Sequence, residues 1–276
     1  MTNPSRFGWV FHTTRLRSYA IALLLLAPLH LAAQDHDDDH EHGHLHFSHP
    51  LVTESPSPDT KLRFDYILDW SNETPAAREN TIRVEGEYAF THSVSLAVVT
   101  PFTFRNSPST DRANGIGNVE LSLKAASLRY GEQGLLLGGG FSVGIPTGSD
   151  AKGIGSSHLV ELEPFVDAGY KKEHLELVGF ARMSSTVNRR ASEELERNLG
   201  LDFSALYAVR QRLESLVEFT TDRPLVGAEK NFTSFVAPGV KIYPFSNRQV
   251  MFGASLALGV GSNDARAAMI SGFYHF

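Results

Sequence analysis

The stretch Ala268-Met-Ile-Ser-Gly-Phe-Tyr-His-Phe276 places an apolar or small residue at every second position: Ala268, Ile270, Gly272, Tyr274 and Phe276. A period of two belongs to a β-strand, because successive side chains point to opposite faces. One face of this strand is apolar and ends on two aromatic rings. The other carries Ser271 and His275. The first question is therefore whether the rest of the chain repeats this pattern.

It does, from Lys61 onward. Leu62, Phe64, Tyr66, Leu68 and Trp70 alternate with Lys61, Arg63, Asp65, Ile67 and Asp69. Val94, Leu96, Val98, Thr100, Phe102 and Phe104 form another face, as do Leu199, Leu201, Phe203, Ala205, Tyr207 and Val209. The strands around 158–170 and 231–243 read less cleanly, since Pro164 and Pro238 each remove a ladder donor. The total is about twelve strands, most near ten residues. That length suits a tilted strand crossing a bilayer. Soluble sandwiches more often use strands of about five or six residues. The connections alternate as well. Long ones fall near 71–79, 106–114, 146–157, 188–196 and 223–230, and short ones near 91–92, 130–134, 171–173, 210–212 and 244–249.

These features predict an all-β fold: a closed antiparallel transmembrane β-barrel of about twelve strands over residues 61–276, of the outer-membrane type. Closure follows from the solvent. In hydrocarbon each backbone N–H and C=O needs a partner, and a closed sheet leaves no edge. A soluble sandwich or lipocalin-like barrel would show the same alternation with the apolar face turned inward. Strand length, alternating loops and the aromatic ending favour the membrane. Short turns on the periplasmic side would put both termini there. The expected setting is the bacterial outer membrane, with its lipid as one partner and the barrel assembly machinery, acting on the carboxy-terminal strand, as another.

Residues 1–33 read as a secretory signal peptide, with Arg6, Arg15 and Arg17 ahead of a short apolar run that ends on Leu31-Ala32-Ala33. Cysteine is absent, so no disulfide holds the chain. The net charge is −6, and Lys and Arg form no stripe, which argues against nucleic acid as a partner. Residues 34–60 have neither period nor apolar face: Asp and His crowd 35–49, and Ser and Pro follow to 58. They read as a flexible, exposed periplasmic arm.

Two sets of residues could carry chemistry. The arm holds His36, His40, His42, His44, His46 and His49 among Asp35, Asp37, Asp38, Asp39 and Glu41. Imidazole ligates zinc, copper and nickel, and carboxylates add charge. No cofactor is required by this pattern, but metal binding is expected. The second set is the inward face of the barrel: Glu85, Glu87, Glu120, Glu161, Glu163, Asp167, Glu176, Arg182, Asp202, Glu214 and Glu218. An acidic excess there favours cations in a pore; structural ion pairs filling a narrow lumen are the other reading. Enzymatic hydrolysis is not expected. Among the barrel histidines only His158, beside Ser156 and Ser157, lies near a candidate nucleophile. In Pro146-Thr147-Gly148-Ser149-Asp150, Pro and Gly set a turn that Ser and Asp are expected to cap.

Gly115-Ile116-Gly117-Asn118-Val119-Glu120-Leu121-Ser122-Leu123-Lys124 and Gly144-Ile145-Pro146-Thr147-Gly148-Ser149-Asp150 resemble motifs of an outer-membrane family labelled MetA-pathway of phenol degradation. The resemblance implies a transporter-like barrel and carries over no catalytic residue. The histidine-rich arm is not part of that family's motifs. The expected function is a channel or transporter for small solutes, linked to divalent metal through the arm. The alternative is a non-conducting structural or binding barrel.

Overall fold

The computed structural model describes residues 12–13, 46–70, 78–107, 110–130, 134–190, 195–227, 232–261 and 265–276. His36, His40, His42 and His44 lie outside these residues. So does the expected signal segment, apart from His12–Thr13, which pairs in parallel with Gly155–Ser156.

The strands are β1 Lys61–Trp70, β2 Arg78–Thr91, β3 Val94–Ser107, β4 in two segments (Thr110–Ile116 and Val119–Tyr130), β5 Leu135–Ile145, β6 Val160–Lys172, β7 Leu175–Val187, β8 Arg197–Arg210, β9 Leu213–Val226, β10 Thr233–Ile242, β11 Val250–Gly259 and β12 Arg266–His275. Each pairs antiparallel with its sequence neighbours. β12 pairs with β1 from Arg266 opposite Trp70 to His275 opposite Lys61, which closes the sheet. Counting β4 as one strand, the barrel has twelve. The short turns and residue 276 lie at one end, called here the turn end; the long connections lie at the loop end.

Pleating and closure explain the burial pattern. Phe64, Phe90, Phe203, Phe252, Tyr274 and Phe276 face outward and are exposed, as are Val166 at 63 % and Ile270 at 62 %. An apolar band of this extent is not stable in water and fits lipid. Lys61, Arg63 and Asp65, the alternate residues of β1, are buried inside. Pro164 and Pro238 sit where a ladder is interrupted. The β6–β7 pairing skips 163–164 and the β10–β11 pairing skips 237–238. The missing N–H therefore falls where no bond is made.

Two expected outer connections are strand instead. β3 runs to Ser107 and β4 resumes at Thr110, so most of 106–114 is hairpin; β9 likewise continues to Val226. Polar residues such as Arg105, Asn106 and Arg112 occupy both faces there. Their ladder is held by backbone bonds, with no apolar stripe to reveal it.

β4 breaks at Gly117–Asn118, and the loop after β5 repairs the break. The Thr147 hydroxyl donates to Gly117 O at 2.8 Å and accepts from the Val119 N–H at 2.9 Å. Gly117 N–H donates to Pro101 O at 2.9 Å, and a Cβ at Gly117 would lie 2.9 Å from Pro101 Cγ. The two family-like motifs thus touch each other. Ser149 stands at the start of the short 3-10 turn Asp150–Lys152 without a side-chain cap bond, so the cap expected of Ser149 is not made, and the Thr147 hydroxyl two residues earlier bridges the β4 break instead. Ser156 N–H donates to Asn118 Oδ1 at 2.7 Å, which holds this loop against the inner rim.

The larger correction concerns the arm. Residues 46–60 are not exposed along their length: they run inside the barrel at the turn end. Phe47 and Leu51 are fully buried, and His49, Thr53, Ser55 and Ser57 nearly so. Phe47 and Leu51 pack among Ile67, Leu136, Val178, Leu206, Leu216, Met251, Met269 and Phe273, all on the inward face. Two wall glycines make room. A Cβ at Gly169 would lie 2.6 Å from the Phe47 ring, and one at Gly253 2.4 Å from Leu51 Cδ2. Burying each of these two side chains stabilises docking by roughly 1.5–3 kcal/mol.

Candidate lumen site

All eleven side chains expected in the lumen lie on the inward face, in groups at different depths. Glu218, on β9, accepts the N–H groups of Leu51 (3.2 Å), Val52 (3.0 Å) and Thr53 (2.9 Å) and the Ser204 hydroxyl (2.9 Å). Successive N–H groups converging on one carboxylate form an anion nest. Here the nest belongs to the arm and the anion to the wall. Glu176 accepts from Ser48 N–H at 2.7 Å and pairs with Lys171 at 2.8 Å. Glu214 pairs with Lys241 at 2.8 Å and with Arg248, and Lys241 donates to His49 O at 3.0 Å.

On the opposite wall Lys61 lies 3.0 Å from Glu85 and 2.7 Å from Glu87. Lys124 lies 2.7 Å from Glu54, an arm residue, and 3.5 Å from Glu87. Burial opposes ionisation of Glu54, but the Lys124 and Lys61 ammonium groups outweigh it and hold the carboxyl well below its ordinary range. Arg63 donates to Leu51 O. The backbone of Ser48, His49 and Leu51–Thr53 thus meets charged wall residues. A buried charge needs such partners, because dehydration alone would make it unstable.

Toward the loop end the lumen holds a second set. Arg182 pairs with Asp202 and with Asp222 at 2.9 Å, and lies 3.8 Å from Glu163. Glu120 and Glu161 stand in register on either side of Gly144. Asp202, Asp222 and Glu163 therefore surround Arg182, and Glu120 and Glu161 add two carboxylates to the loop half of the lumen. Asp167, beside Gly138, has no hydrogen-bond partner among the described residues for either carboxylate oxygen.

At the turn-end mouth His46 Nε2 lies 2.9 Å from Asp59 Oδ1, and His49 Nε2 lies 2.6 Å from Asp59 Oδ2. Lys61 Nζ donates to His49 Nδ1 at 3.2 Å. The His275 ring stacks on His49 at 5.1 Å and lies 6.5 Å from His46. Burial first, then the Lys61 charge, holds the His49 imidazole well below its ordinary value. Asp59 is lowered too: burial opposes this, but His46 and His49 outweigh it. Asp59 and His275 were not singled out in the sequence as partners of the histidine run. The spacing that joins them exists only when the arm turns back inside the barrel.

His158 faces Asp150 at 3.5 Å. Ser156 Oγ accepts from the N–H groups of His158 (3.3 Å) and Leu159 (2.7 Å), an ordinary turn arrangement.

Solved structures share this architecture. An outer membrane channel from Pseudomonas putida F1 superposes with a TM-score of 0.63 at 12% identity, covering 83% of this chain and 100% of that one. The chain has the fold of an outer-membrane β-barrel. The NanC porin gives 0.53 at 10% identity, over 77% of this chain and 100% of its own. The KdgM porin in complex with disordered oligogalacturonate gives 0.51 at 11% identity, over 78% and 99%. At such identities the likeness is one of fold. No protein-family model matches the barrel, and no curated protein is significantly similar to it in sequence.

Proposed function

We propose that the chain is an outer-membrane channel for small solutes, with its turn end in the periplasm and residues 46–60 closing that end in the state seen. One observation carries the reading: an apolar-faced closed barrel whose polar, acid-rich lumen is filled at one end by its own chain. The fold neighbours described as a channel and as porins support passive passage. Asp202, Asp222 and Glu163 around Arg182, with Glu120 and Glu161 in the same half of the lumen, support a preference for cations. The resemblance to the MetA-pathway family supports the same transporter-like class. A lumen with this many carboxylates suits polar solutes better than phenols.

The filled turn end also favours a second reading, a barrel that does not conduct. Reconstitution in planar bilayers with a salt gradient separates the two. The proposal expects current in a variant lacking residues 46–58, with a reversal potential of cation-preferring sign. Anion preference would overturn the selectivity. A folded deletion variant without current would support the second reading.

A further inference from the structure

Among the described residues, two groups bring three metal-capable side chains together. The first, Glu54 with Glu85 and Glu87, already surrounds the Lys61 ammonium at 3.7, 3.0 and 2.7 Å. A metal ion would have to displace a buried cation, so this group is an ion-pair cluster. The second, His46 with His49 and Asp59, holds no cation between its donors. All its ligand atoms lie within 4.8 Å of one another. Both Nε2 atoms already approach the same carboxylate, at 2.9 and 2.6 Å. Donors around a four-coordinate zinc ion, each about 2.0–2.2 Å from it, are roughly 3.3 Å apart, so small shifts would admit the ion. Lys61 donates to His49 Nδ1, so the proton of the neutral His49 ring sits on Nε2, where Asp59 accepts it.

We propose that His46, His49 and Asp59 bind a divalent transition-metal ion of the zinc class at the turn-end mouth of the lumen. Two imidazoles and a carboxylate are a donor set that zinc accepts, with a fourth position left open. His275, stacked on His49 at 5.1 Å, is the nearest further imidazole. On binding, each ring's proton moves from Nε2 to Nδ1, freeing the Nε2 lone pair for the metal, and the Lys61 ammonium swings off His49 Nδ1 while keeping Glu85 and Glu87. The site has a structural consequence. His46 and Asp59 stand at the two ends of the buried segment, and Asp59 is two residues before β1. A metal bridging them ties the segment into a closed loop at its base. The proposal does not depend on whether the barrel conducts.

The test is zinc titration of the full chain, folded in detergent, by calorimetry with a competing chelator. His46→Ala is the main variant, because that side chain is 54% exposed at the mouth and its removal leaves the interior intact. Asp59→Asn and His49→Ala follow, with barrel folding checked by heat-modifiable gel mobility. A fourth variant replaces His36, His40, His42 and His44 with Asn and keeps the proposed site. The expected result is one tight site, weakened at least ~10-fold in His46→Ala and Asp59→Asn and retained in the four-Asn variant. Cobalt(II) bound in place of zinc should give the visible bands of a tetrahedral site in the same variants. A tight site that survives His46→Ala and Asp59→Asn, one that is lost in the four-Asn variant, or no tight zinc binding at all would overturn the proposal.

Discussion

Glu218 is the wall residue on which docking of residues 46–60 depends most. Its carboxylate, 1% exposed, accepts three consecutive N–H groups and a hydroxyl. Glu218→Ala leaves those N–H groups without their acceptor in a buried pocket. Each orphaned donor costs roughly 1–3 kcal/mol, giving a range of about 3–9 kcal/mol. The lower part applies, because the space vacated by the truncated side chain admits a water molecule that these donors can reach. About 4 kcal/mol corresponds to a ~1000-fold shift of docking toward release. Glu218→Gln keeps one acceptor oxygen and should lose about half of that free energy. Hydrogen exchange at the Leu51, Val52 and Thr53 amides, read by mass spectrometry on the folded barrel, measures the shift. Exchange in Glu218→Ala within threefold of the parent rate would refute the claim that this carboxylate anchors the segment.

Two further predictions rest on neighbouring contacts. Gly253→Val places a side chain where Leu51 Cδ2 now sits, 2.4 Å from an ideal Cβ. Overpacking of this kind costs about 1–3 kcal/mol, so the same amides should exchange roughly 10–100 times faster while heat-modifiable mobility stays unchanged. Glu54, depressed by Lys124 and Lys61, stabilises docking above the ordinary carboxylate value and loses that effect as pH falls through its lowered one. The difference in protection between the parent and Glu54→Gln should therefore be constant from pH 8 to about 5 and shrink under stronger acid. A difference that grows on acidification would contradict the pairing.

The wall was legible in the sequence because its rule is local. Alternation at β1, β3, β8 and β12 reports which residues meet lipid, and Tyr274 and Phe276 at the ending do face outward beside β1. The docked segment obeys no local rule. Ser48 and its neighbours read as solvated, yet their partners lie far along the chain: Glu176 from Ser48, Lys241 from His49, Glu218 from Val52. A signal was nevertheless present. Ile67, Leu136, Val178, Leu206, Leu216, Met251, Met269 and Phe273 are apolar residues on the polar face. A water-filled lumen gives no reason for them. An inserted segment carrying Phe47 and Leu51 does. Gly169 and Gly253 mark the same places by what they omit.

The central claim is that residues 46–60 lie in the lumen and close it. The chain has no cysteine, so one engineered pair reports without interference. Thr53 Oγ1 and Ser204 Oγ are 2.5 Å apart, which suits a disulfide in Thr53→Cys/Ser204→Cys. Single-channel recording before and after reduction is then the most direct test. The account predicts efficient cross-linking, a closed barrel when oxidised, and cation-preferring openings on reduction. Failure of the pair to cross-link in the folded barrel, or equal conductance in both redox states, would contradict it.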